Sequence, residues 1–99
     1  MNKIIFFIRI IVYLQKKDNM PTVFILFGYI FKFYSDDHEP IHVHIVKDGK
    51  EAKDNVVPEV VQVFNHGFKK HELSVIEGII EENVEVIVDR WKNFFGENK

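Results

Sequence analysis

IHVHIVKDGKEAKDN, Ile41 to Asn55, is the stretch whose reading decides the fold. Apolar and polar residues alternate along its first half. Val43 and Ile45 therefore share one face of a strand, and His42 and His44 share the other. Asp48-Gly49 is among the strongest short hairpin signals a sequence can carry. With these two as the central turn residues, the register follows: Lys47 opposes Lys50, Val46 opposes Glu51, Ile45 opposes Ala52, His44 opposes Lys53 and His42 opposes Asn55. Asp54 then falls opposite Val43 on the apolar side, so either the strand ends before it or a bulge redirects it.

The pattern continues in both directions. Upstream, Val23, Ile25 and Phe27 alternate with Phe24 and Leu26, and Gly28 interrupts the run before YIFKFYS resumes it. This predicts two strands joined by a tight turn, with Gly28 supplying positive φ at the first central position. In the second of these strands Phe31 and Phe33 lie on one side, Lys32 and Tyr34 on the other. Downstream, Pro58 interrupts an apolar run, and an edge strand is expected over Val60 to Phe64, ended by Asn65-His66-Gly67. Leu73, Ile76, Ile80, Ile87, Trp91 and Phe94, with Val84 alongside, form the stripe of an amphipathic helix that Gly96 stops. Asn83 interrupts that stripe and marks a kink or a polar contact.

The expected architecture is α+β: a two-layer domain, with an antiparallel sheet of four to five strands packed by one long C-terminal amphipathic helix. Phe31, Phe33, Val43 and Ile45 would meet the helix stripe. Lys32, Tyr34, His42, His44, Lys53 and Asn55 would lie together on the exposed face.

The bulk composition narrows the function classes. Ninety-nine residues with 46% hydrophobic content make a single small domain. A chain of this length buries only about 60% of its unfolded surface, which makes self-association an expected property. The absence of cysteine excludes disulfides, thiolate metal sites and cysteine nucleophiles. A net charge of −2 argues against a protein that grips a phosphate backbone over its whole surface. The apolar run Ile4 to Leu14 is about half the length of a membrane span and carries Arg9 in its middle. Met20 is the expected natural start. Residues 1–19 then form an upstream extension, prone to a strand or a sticky helix, residues 20–96 the domain and 97–99 a tail.

The histidines allow three readings. In the first they are polar-out residues of a half-solvated strand, with no chemistry. In the second, His42 and His44 share a metal with His38, Asp37 or a neighbouring acid; Lys53, opposite His44, stands against it, because metal-bound histidines are normally backed by carboxylates or carbonyls. In the third, His42, His44 and His38 are metal-free acid-base groups, and Lys53, Tyr34, Lys32 and Asn55 hold the phosphates of RNA or a nucleotide. His66, Lys69 and Lys70 would extend that patch. The third reading leads. It requires no cofactor, and the enzymatic activity it allows is ribonuclease-like.

From Met20 to Gly96 the chain resembles a family of small bacterial proteins called domain of unknown function 4160. The likeness rests on Met20-Pro21-Thr22-Val23, Gly28-Tyr29, the aromatic strand with Phe31, Phe33 and Tyr34, Asp37-His38, Pro40, His42-Val43-His44, Gly67-Phe68 and Trp91. Two residues depart from the pattern. Ile41 stands where a second proline is frequent, and Lys69 replaces a helix-capping Ser or Thr, a change worth roughly 1 kcal/mol. The resemblance implies no established activity. It implies a cytoplasmic protein encoded beside another short protein, in the manner of toxin-antitoxin modules. Its expected partners are that neighbour, RNA and further copies of itself; a plain protein-interaction module is the alternative.

Overall fold

The computed structural model describes residues 22–96. The extension over residues 1–19 and the tail over 97–99 lie outside the described residues. Five strands, β1 (Thr22–Leu26), β2 (Tyr29–Lys32), β3 (His42–Lys47), β4 (Lys50–Asn55) and β5 (Val61–His66), form one antiparallel sheet in sequential order. Two helices follow, α1 (Lys70–Glu82) and α2 (Val84–Phe95). The α+β fold expected from the sequence is thus present. Among the described residues no helix is long and apolar enough to cross a membrane.

The central hairpin has the register that Asp48-Gly49 dictates, from Lys47 opposite Lys50 to His42 opposite Asn55. Asp48 and Gly49 have φ of 51° and 78°, both in the left-handed region that the favoured two-residue hairpin turn demands. The first hairpin uses the same device with a different residue assignment. Leu26 pairs with Tyr29, so Phe27 and Gly28 are the central residues, with φ of 54° and 83°. Gly28 therefore occupies the second central position, and Phe27 takes the first with its ring in solvent.

One sheet face builds the core. Phe31, Val43, Ile45 and Ala52 are fully buried and cluster with Ile76, Ile80, Ile87 and Trp91 of the helices. The expected single helix is broken at Asn83, whose φ of −131° is not helical. The buried Asn83 amide donates to the Ile79 carbonyl oxygen at 2.7 Å, capping α1 from within the core. Beyond Asn83 the inward spacing runs Ile87, Trp91 and Phe95, while Phe94, expected in the stripe, is 44% exposed. At the start of α1, Lys69 offers no side-chain acceptor. The reciprocal bond alone forms, from the Lys69 N–H to Glu72 Oε1 at 2.9 Å.

Asp54 follows neither course expected of it. The β4–β5 pairing does shift between Lys53 and Asp54, yet β4 runs on to Asn55 and Asp54 stays on the core side, 4% exposed. Burial, with Glu77 adding a like charge, pushes its carboxyl up to about 6. A raised carboxyl favours folding fully below its unfolded value near 4 and loses that advantage as pH rises through 6. Asp54→Asn is accordingly expected to stabilise the domain at pH 7.5 by about 1–2 kcal/mol, less than the full linkage value because the amide is still a buried polar group. Urea titrations at pH 7.5 and pH 4 check this: the gain should disappear at the lower pH, and an equal gain at both would contradict it.

Candidate functional site

The site forms where the loop between β2 and β3 folds back over the outer sheet face. Asp37 sets the fold of that loop. Its N–H donates to the Tyr34 carbonyl oxygen at 2.9 Å, and its Oδ2 accepts the Tyr34 N–H at 2.8 Å. These two bonds leave Oδ1 directed at the strand. His42 Nε2 lies 3.2 Å from that oxygen and His44 Nε2 3.3 Å. The side chains of Asp37, His42 and His44 thus bring their ligand atoms within 4.8 Å of one another.

The two histidines do not face solvent as the strand alternation predicted. His42 is 3% exposed and His44 6%. The loop covers them, the Tyr34 ring lies against His44 with centroids 4.2 Å apart, and the Trp91 ring meets His42 at 5.2 Å. Strand alternation assigns a side chain to a face, whereas the later return of a loop decides whether that face is open.

Each ring is oriented from behind. His42 Nδ1 lies 2.8 Å from the Pro40 carbonyl oxygen, which can only accept, so Nδ1 carries the proton. His44 Nδ1 lies 3.2 Å from Glu51 Oε2, which also accepts the Tyr34 hydroxyl at 3.0 Å. His44 Nε2 is also within hydrogen-bond distance of Asp37 Oδ1, at 3.3 Å, so both ring nitrogens of His44 face a carboxylate oxygen. His42 Nε2 is buried with no hydrogen-bond partner: its approach to Asp37 is close in distance but not aligned as a donor. Burial raises the Asp37 carboxyl, but the Tyr34 N–H and the His42 and His44 rings outweigh it and hold the group below the usual carboxylate range. Burial also raises the Tyr34 hydroxyl, with the Glu51 bond and the Glu51 and Asp37 charges acting in the same direction, so the hydroxyl keeps its proton as a donor.

Two clefts flank the loop. A polar one of about 440 Å³ is lined by Asp36, Asp37, His38, Glu39, Pro40, His42, Lys53, Asn55 and Val63. A more apolar one of about 370 Å³ lies between Ser35, Asp37, His38, Glu39 and the Trp91, Phe94 and Phe95 rings.

Of the residues singled out in the sequence, His42, His44 and Asp37 come together, and Lys53 and Asn55 line the polar cleft beside His42. His38 is exposed on the loop, bordering both clefts but outside the three-residue cluster. The Tyr34 hydroxyl, expected to contact phosphate, is bonded to Glu51, and the Lys32 ammonium sits 5.0 Å from the centre of the Tyr34 ring. His66 stacks on Phe64 and, with Lys69 and Lys70, lines neither cleft. Two site residues were missed, Glu51 and Trp91. Glu51 was recoverable, because the register puts it diagonally next to His44 on the same sheet face. Trp91 comes from a distant helix and carries no such signal.

A family model described as Domain of unknown function (DUF4160) matches residues 28–92. No curated protein and no solved structure matches the chain.

Proposed function

Because the chain belongs to the family described as Domain of unknown function (DUF4160), a description that carries no activity, we propose its function from the site itself. It is a small protein that holds a divalent transition metal through His42 Nε2, His44 Nε2 and Asp37 Oδ1, with coordination positions left open. The observation that carries this reading is the buried His42 Nε2, which has no hydrogen-bond partner and faces a second imidazole nitrogen and a carboxylate oxygen.

Three further features support it. With metal–ligand bonds of about 2.0–2.1 Å, neighbouring donors of a tetrahedral zinc site stand about 3.3–3.4 Å apart. The contacts from Asp37 Oδ1 to the two Nε2 atoms are 3.2 and 3.3 Å. The supports behind the ligands, missing from the strand reading, are present: a backbone carbonyl behind His42 and a carboxylate behind His44, the arrangement typical of metal-bound histidine. The donor set of two imidazoles and one carboxylate suits zinc or iron(II), and three protein ligands leave room for water or substrate. A metal held in this way polarises a bound water or oxyanion.

The metal-free reading fares worse on this geometry. Acid-base work on RNA needs an imidazole nitrogen directed at a scissile phosphate, and both Nε2 atoms are directed at Asp37 Oδ1 instead. Elemental analysis of untagged full-length protein tests the proposal. One zinc or iron per chain is expected, and protein free of transition metal after saturation and desalting would end it.

A further inference from the structure

The polar cleft beside this site has an unusual charge balance. Asp36, Asp37 and Glu39 line it against a single ammonium, Lys53. Without a metal, an anion entering the cleft meets an excess of negative charge. A divalent ion at Asp37, His42 and His44, together with Lys53, would just balance the three carboxylates. Metal loading therefore changes what the cleft can take.

We propose that this cleft binds a phosphodiester, and does so only when the metal site is loaded. The inference rests on the metal reading above and adds the ligand class. A phosphodiester carries one negative charge and two non-bridging oxygens. One oxygen would take an open coordination position at the metal and the other the Lys53 ammonium, a charge-assisted contact. The Asn55 amide, paired with His42 in the strand register, lies on the same wall to meet an ester or sugar oxygen. The cavity of about 440 Å³ exceeds what a bare oxyanion fills, and the exposed Val63 side chain at its edge offers apolar surface to an ester arm. The ester arms, rather than charge alone, distinguish this ligand from a simple carboxylate.

The experiment uses the full-length chain, zinc-loaded or chelator-stripped, titrated calorimetrically with a dinucleoside monophosphate and with acetate. The loaded protein should bind the dinucleoside monophosphate at least about tenfold more tightly than either the stripped protein or acetate binding allows, and Lys53→Met should lose about tenfold while its zinc content is unchanged. Lys53→Gln stands in if Lys53→Met does not fold. Equal binding with and without zinc, binding unaffected by the lysine replacement, or equal affinity for acetate would each overturn the inference and leave the metal site standing. Loaded protein that binds no phosphodiester does the same. Failure to take up zinc at all overturns both, and the metal content measured beside each titration separates the two failures.

Discussion

His42→Ala is expected to lower affinity for zinc or cobalt(II) by at least about a hundredfold, since even the outer partners of metal-bound histidines are worth about 10–100-fold. The argument is geometric. His42 supplies the one ligand atom that is buried without a hydrogen-bond partner, and neither cleft provides a replacement imidazole except the exposed His38. Glu51→Gln grades the effect. It leaves the three ligands in place and replaces the carboxylate that accepts His44 Nδ1–H and the Tyr34 hydroxyl, so a loss of about tenfold is expected. Competition against a chromophoric chelator measures both. If His42→Ala and wild type compete equally, the ion is bound elsewhere.

The second large effect concerns stability. Trp91→Ala should destabilise the domain by about 3–5 kcal/mol, the range for deleting a buried aromatic ring. Trp91 is 2% exposed and packs edge-on against Phe33 at 5.2 Å, against Phe95 at 4.3 Å and against His42 at 5.2 Å. A domain of this size has a total stability of order 4–11 kcal/mol, so this one replacement removes a large part of it. Trp91→Phe keeps the apolar contact to Phe33 and should lose less than half as much. Urea denaturation followed by circular dichroism checks both, and a loss under about 1 kcal/mol for Trp91→Ala would show that the indole is not part of the core. Because the same ring walls His42, metal affinity should fall further in the alanine variant than in the phenylalanine one.

These two residues also mark how much could be read in the sequence. The hairpin around Asp48-Gly49 was legible to the residue, because a two-residue turn with both φ values positive admits only one register once its centre is known. The core face followed from alternation. The helix break was visible only as an anomaly, since a polar residue in an apolar stripe does not disclose whether the helix bends around it or stops. Asn83 stops it, its amide taking the Ile79 carbonyl oxygen. For the site, His42, His44, Lys53 and Asn55 were placed correctly on one face. Their burial was not legible, because it depends on a loop held by two bonds between Asp37 and Tyr34, and local bonding of this kind has no period. Once the loop closes, Asp37, one of several candidate ligands in the sequence, becomes the third member of the cluster, and Glu51 supplies the carboxylate support whose absence had counted against a metal.

X-ray absorption on the protein saturated with zinc tests the central claim most directly. The account predicts one ion per chain in a nitrogen and oxygen shell, with two imidazole nitrogens at about 2.0–2.1 Å, and loss of an imidazole contribution in His44→Ala. A shell without imidazole, or one unchanged by His44→Ala, would contradict it.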